Sequence, residues 1–287
     1  VKPIVKYQGG KSRELPLIKT LLPQNYDTVL EPFAGGAAVS FALGHRCILN
    51  DMNDALINMY QQVSNPTTFH DIFSHVAYLK TLEHDALSDE YYKARDYING
   101  TERDPYTWAA SYITLRQLCF SGMERYNKDG KFNVPFGHYK RFSCNLDWNH
   151  MKFLHQSGSS IYHGDFAPIF DMATEDDFIF IDPPYLDRLG YAHGNDTLHS
   201  RLVECMHKTK AKWLFIHTKH DFYMDTLWEY NIMFRPHGYS QRFGKNRDHS
   251  GAQVEHMYVT NYEDDMTLHR VSNSSLQNLL DHDRIGA

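Results

Sequence analysis

The sequence predicts an α/β fold, a mostly parallel sheet whose chain is interrupted by a mostly helical insertion. Three observations predict it. Short apolar runs at 28–30, 47–49 and 178–181 read as buried strands, and each leads into an acid, Glu31, Asp51 and Asp182. Residues 61–156 drop this pattern and take on helical periodicity. From Ser160 the strands resume, so the sheet domain divides into 1–60 and 157–262 around an insertion at 61–156, with a tail at 263–287.

The first segment opens with a loop and a helix. The strand Thr28-Val29-Leu30 then runs into Glu31-Pro32-Phe33-Ala34-Gly35-Gly36, followed by small residues. Two glycines let a strand turn into a helix while the backbone comes close to a ligand. A second strand, Cys47 to Asp51, ends in an acid about 20 residues further on, placed to accept from two ribose hydroxyls. A helix starts near Asn53-Asp54. Without G-x-G-x-x-G, a nucleoside is expected here rather than a dinucleotide. Gly10-Lys11-Ser12 looks like the end of a phosphate-binding P-loop, but that motif's first glycine falls on Val5 and no strand precedes it, which excludes an ATPase.

The insertion shows helical spacing at 69–79, 91–98 and 106–118, then a loop rich in Gly, Asn and Lys. The chain as a whole carries a net charge of −6, yet residues 112–142 hold Arg116, Arg125, Lys128, Lys131, Lys140 and Arg141 against only Glu124 and Asp129. Phe120, Tyr126, Phe132, Phe136, Tyr139 and Phe142 alternate with these charges, and a second basic stretch at 235–247 adds Arg242 and Lys245. Local basic stripes on an acidic background suit a protein that meets phosphates on one face.

In the last segment, 161–166 and 213–218 read as strands, and 230–234 with 256–260 as a hairpin. The strand at 178–181 ends in Asp182-Pro183-Pro184-Tyr185: a carboxylate acceptor, two residues with no N–H, and an aromatic face. An exocyclic amine with two N–H bonds on a flat ring fits that surface. In the tail, Leu276, Leu279 and Leu280 allow either a short docking helix or disorder.

At 287 residues and 42% hydrophobic the chain has material for a large core. No 18-residue apolar span and no signal peptide are found, so a cytoplasmic or nucleoid-associated protein without a membrane partner is expected. Cys47, Cys119, Cys144 and Cys205 lie far apart and read as reduced thiols. The 18 histidines form no H-E-x-x-H, and no catalytic metal is expected.

Four blocks in order carry a resemblance over about residues 4–262. They are Lys6-Tyr7-Gln8-Gly9-Gly10-Lys11, then Glu31 to Gly36 with Asp51, then Arg125-Tyr126-Asn127 with Phe132 to Gly137, then Asp182 to Tyr185. The chain resembles the Dam-like DNA adenine-N6 methyltransferases. That resemblance implies a Rossmann-like, S-adenosyl-L-methionine-dependent methyltransferase sheet with an inserted target-recognition domain, acting on a flipped adenine in a short site of double-stranded DNA. It implies that Asp182 and Pro183 accept from the adenine amine, and that Tyr185 stacks on the ring. Tyr7 (Trp in most of the family), Lys11, Phe33, Gly35, Asp51, Asp165, Phe166 and Asp182 would hold the cofactor. Arg116, Met123, Arg125, Asn127, Lys128, Asn133, Pro135, Lys140 and Arg141 would meet DNA, with Arg125 reading guanine. Met123 and Glu124 depart from the usual residues before that arginine, so the expectation stops at a short palindrome with guanine beside the adenine. A cognate restriction endonuclease acting on the same site is a candidate partner. Cytosine-N4 or RNA-adenine methylation, and a non-catalytic DNA-binding relative, stay open at this point.

Overall fold

The computed structural model describes residues 1–156, 158–186, 195–238 and 253–263. Among them seven strands form one sheet: β1 (Thr28–Glu31), β2 (Arg46–Asp51), β3 (Ser160–His163), β4 (Phe178–Ile181), β5 (Lys212–Thr218), β6 (Asn231–Gly238) and β7 (Gln253–Thr260). They lie in the order β3-β2-β1-β4-β5-β7-β6. The first five run parallel, and β7 enters antiparallel between β5 and β6. The helices described are α1 (Leu15–Thr20), α2 (Ala38–Leu43), α3 (Asp54–Ser64), α4 (Pro66–Thr81), α5 (His84–Asn99), α6 (Pro105–Leu118), α7 (Trp148–His155), α8 (Ala167–Met172), α9 (Asn195–Lys208) and α10 (Asp221–Thr226).

The continuous apolar runs of β1 and β4 follow from burial on both faces. Alternate residues divide between two cores. Leu30, Ile179, Ile181 and Phe215 pack with Phe170, Leu202 and Met206 of α8 and α9. Val29, Phe178, Phe180 and Leu214 face the other way, onto Ile18 of α1 and Val39 of α2.

The helical spacings at 69–79, 91–98 and 106–118 lie within α4, α5 and α6. Pro66 and Pro105 each stand in the first turn behind Asn65 and Asp104, whose side chains accept from the N–H of Thr67 and Thr107. The expected division at residue 60 falls inside α3. Tyr60 and Val63 of that helix share one core with Phe69, Tyr91 and Ile113 of α4, α5 and α6. The helices of 61–156 thus share one core with α3, the helix that leaves β2. The strand expected at 161–166 stops at His163, because Gly164 turns the chain at φ 143° and Phe166 caps α8. Arg242, Lys245 and the tail leucines lie outside the described residues. Among the described residues no helix is long and apolar enough to cross a membrane.

One carboxylate ties the amino-terminal helix to the last strand. Glu14, at the start of α1, accepts from the Tyr258 hydroxyl and from Nδ1 of His256 on β7. Burial pushes its pKa up, but these two bonds and the charge of Lys11 outweigh burial and hold it below 4.5. Glu14→Gln is expected to cost about 1–3 kcal/mol, a Tm loss of a few degrees near neutral pH. A carboxylate with a depressed folded pKa stabilises above its unfolded value, and that contribution fades as pH falls through the folded one. Melts of the two proteins should therefore converge on acidification below pH 4.5; an equal gap at every pH would contradict the assignment.

Candidate active site

Parallel strands deliver their carboxyl ends to one edge of the sheet. From β1 the chain passes to β2 and β3 on one side, and β4 lies on the other, so the topology switches between β1 and β4. Open α/β sheets bind ligands at such a point. The loops after β1, β2, β3 and β4 meet here.

The turn after β1 is held from several sides. Ala34 donates its N–H to the carbonyl of Asn50, and Gly35 donates to Asp51 Oδ2 at 2.8 Å. Asp51 Oδ1 accepts from the Asn53 N–H at 3.0 Å. Burial raises the pKa of Asp51, while the Asn53 and Gly35 bonds oppose the rise. The Tyr60 hydroxyl donates to the Gly35 carbonyl at 2.8 Å. Asn50, buried in β2, spans the carbonyls of Pro32 and Gly164 and so joins the turns after β1 and β3. Sequence reasoning passed over Asn50; the signal was an amide inside an apolar strand, one residue before its acid.

Tyr7 lies across the glycine turn. A Cβ on Gly35, whose φ is +47°, would stand 2.9 Å from Cε1 of the Tyr7 ring. Gly35→Ala is expected to cost about 1–3 kcal/mol from left-handed backbone and overlap together. In Tyr7→Ala/Gly35→Ala the overlap disappears, so the double variant should melt above the additive expectation. Strict additivity would remove the ring from this contact.

Glu31 also ends β1, but it points into the protein. Burial pushes its carboxyl up to about 7, and Oε1 accepts the Ser40 N–H at 2.7 Å, the first turn of α2. Across the sheet edge, the rings of Phe33 and Phe166 are 5.2 Å apart at 32°. Asp165 is exposed, and both its oxygens receive Arg201 of α9, at 2.9 and 3.1 Å. The same guanidinium stands 5.2 Å over the Phe166 ring.

At the end of β4, Asp182 Oδ2 accepts from Lys11 Nζ at 2.6 Å. Burial raises the Asp182 pKa and the lysine pulls it back, leaving it above the ordinary value. Lys11 is itself buried and also donates to the Gly9 carbonyl. Pro183 is buried, and Pro184 is exposed. The Tyr185 ring stands edge-on to His217 at 4.8 Å and to His256 at 5.7 Å. Burial pushes His217 down to about 3, so it is neutral at physiological pH. Its Nδ1–H donates to the Thr218 carbonyl, and Nε2 accepts from the N–H of Leu186. His217 thereby holds the chain just past Tyr185. It too was missed, since a histidine inside an apolar strand reads as core.

The basic loop forms a narrow ribbon in which Tyr126 pairs with Phe132 and Cys119 with Phe136. Arg125 is exposed, and Asn133 accepts from it twice, Oδ1 from Nε at 2.7 Å and the carbonyl from Nη2 at 3.1 Å. Asn127 Oδ1 accepts the N–H groups of Asp129 and Lys131 and so builds the tip. Lys128, Pro135, Lys140 and Arg141 are exposed, while Met123 is partly buried against the core. Arg116 must be reassigned. It is 0% exposed, and its guanidinium donates to the carbonyls of Lys6, Gly122 and Met123 and pairs with Glu124 at 3.2 Å. A buried cation so fully engaged holds the loop's base and cannot reach DNA phosphate.

A family model described as D12 class N6 adenine-specific DNA methyltransferase matches residues 7–234. The chain is 32% identical over 276 residues to the Type II methyltransferase M.CviBI of Paramecium bursaria Chlorella virus NC1A, covering 91% of this chain and 100% of the relative. It is 34% identical over 206 residues to the Type II methyltransferase M.MjaIII of Methanocaldococcus jannaschii, covering 64% and 69%. With the DNA adenine methylase of Haemophilus influenzae it shares 31% identity over 188 residues, 64% of each chain.

Proposed function

The chain belongs to the D12 class of N6 adenine-specific DNA methyltransferases, and from that premise we propose a division of labour among its residues. The enzyme transfers a methyl group to adenine N6 in DNA. Its donor is S-adenosyl-L-methionine, which supplies an electrophilic methyl on a sulfonium when bound. The donor set fits that molecule. Asp51, pinned by two N–H groups, keeps lone pairs for two ribose hydroxyls. Phe33 and Phe166 offer aromatic faces to the cofactor's adenine, and Asp165 an acceptor beside them. Tyr7 and Gly35 form the wall and floor of the turn. Lys11 spends two N–H bonds on Asp182 and Gly9, leaving the third for the methionine carboxylate.

The target amine is a poor nucleophile, because its lone pair is delocalised into the ring. Asp182 and the Pro183 carbonyl would accept hydrogen bonds from its two N–H groups, which would draw the nitrogen toward tetrahedral geometry and localise its lone pair for attack. Tyr185, braced by His217 and His256, stacks on an adenine rotated out of the duplex. The observation that carries this reading is the carboxylate of Asp182 and the ring of Tyr185 at the switch point, one strand from the Gly35 turn and two from Asp51. Incubation with labelled S-adenosyl-L-methionine and duplex DNA, then nucleoside analysis and site mapping, tests it. N6-methyladenine at one short palindrome is expected; label on cytosine, or none, would overturn it.

Target reading falls to the segment 61–156, through its loop. Of Arg125's five N–H donors two go to Asn133, and three remain, enough for guanine O6 and N7. Arg125→Ala is expected to relax discrimination at one base pair by about 1–3 kcal/mol. Lys128 and Lys140 variants should weaken all duplexes alike and flatten the salt dependence. Binding to matched and single-mismatch duplexes at several salt concentrations separates the two. Equal loss on every duplex would make Arg125 a backbone anchor. By analogy with the Type II relatives, the proposed partner is a restriction endonuclease acting on the same sequence.

A further inference from the structure

Glu124 stands where three parts of the site join. Its Oε1 accepts from Asn53 Nδ2 at 2.9 Å and from the Tyr126 hydroxyl at 2.8 Å. Its Oε2 meets the buried Arg116 guanidinium at 3.2 Å. Each partner leads elsewhere. The N–H of Asn53 binds Asp51, and its Oδ1 caps α3 through Leu56. Arg116 holds the Lys6 carbonyl and lies 5.4 Å from the Tyr7 ring. Tyr126 follows Arg125 in the loop ribbon. A single side chain therefore bridges the turn beside Asp51, the segment bearing Tyr7 and the base of the loop that presents Arg125.

We propose that Glu124 is a positioning residue that couples cofactor binding at Asp51 to target reading by Arg125. The proposal rests on the reading of Asp51 as a cofactor ligand. A ligand that fixes Asp51 and Tyr7 fixes Asn53 and Arg116, and through Glu124 it fixes the loop segment on which Arg125 is mounted. By linkage the effect is reciprocal: cognate DNA that orders the loop tightens the cofactor site by the same factor.

The test measures how far S-adenosylhomocysteine tightens binding to the cognate duplex, relative to a duplex changed at one base pair. Four proteins are compared: wild type, Asn53→Asp, Glu124→Gln and the double variant. Asn53→Asp keeps the oxygen that caps α3 but sets an oxygen against Glu124. Adding Glu124→Gln restores a donor–acceptor pair of opposite polarity. Wild type is expected to show tightening of about fivefold or more, each single variant less than about twofold, and the double variant a recovery toward wild type. A merely structural role would lower Tm without changing this ratio. Folded single variants that keep the wild-type ratio, or a wild type with no tightening, would overturn the coupling. Should the single variants not fold, Tyr126→Phe removes only the hydroxyl on Oε1, and an unchanged ratio there would overturn it equally. Affinity for S-adenosylhomocysteine that is absent, or indifferent to Asp51→Ala, would instead overturn the cofactor site itself.

Discussion

Asp182→Asn is expected to lose more than about a hundredfold in turnover while S-adenosylhomocysteine still binds. The amide nearly preserves the volume, but it removes the negative acceptor that the proposal sets against the reacting nitrogen and offers an NH2 where the adenine amine would donate. A charged acceptor at the reacting atom is worth several kcal/mol of barrier, hence that factor or more. Asp182→Ala is the poorer probe, since it leaves Lys11 buried with its ion-pair partner gone and adds a folding penalty of about 3–5 kcal/mol. The amide keeps one oxygen for Lys11. Single-turnover kinetics at saturating cofactor and duplex, with a melt of the same sample, isolates the chemical step. Near-normal turnover by a folded Asp182→Asn would sink the assignment of the catalytic acceptor.

Asp51→Ala is expected to weaken cofactor binding by about 2–3 kcal/mol, with a smaller loss of maximal rate at saturation. The structure adds a reason for a value at the upper end. Asp51 also holds the N–H groups of Gly35 and Asn53, so its loss frees the turn as well as removing the proposed ribose contact. Asp51→Asn separates the contributions, because an amide oxygen still accepts one of those bonds. Calorimetry with S-adenosylhomocysteine should rank wild type, Asp51→Asn and Asp51→Ala in that order. Equal affinities would remove Asp51 from the site.

Much of this arrangement is legible in the amino-acid sequence. Apolar runs ending in Glu31, Asp51 and Asp182 signal parallel strands, because burial on both faces leaves no polar alternation and places the first polar residue at the strand's end. The long helices were legible from their periodicity, and the last two strands from their β-branched and aromatic content. Other features were hidden because they depend on partners distant in sequence. Arg116 sits in a basic stripe and reads as a phosphate contact; only the fold shows its guanidinium turned inward onto the carbonyls of Lys6, Gly122 and Met123. Lys11 and Asp182 are 171 residues apart, and no spacing rule predicts their ion pair. His217 carries no motif, and its role comes from the backbone of Leu186.

The reversed strand β7 sets a timetable for assembly. It fits between β5 and β6 and brings His256 to Glu14, 242 residues away, and against Tyr185. Loop closure over so great a separation is slow, and such pairings form late. As the chain leaves the ribosome, the glycine turn, Asp51 and even Asp182 emerge well before the strand that braces the aromatic wall. The nascent polypeptide can thus bring together the glycine turn and Asp51 while the packing around Tyr185 is still unfinished. The site at the carboxyl ends of the strands would then be complete only when β7 enters the sheet.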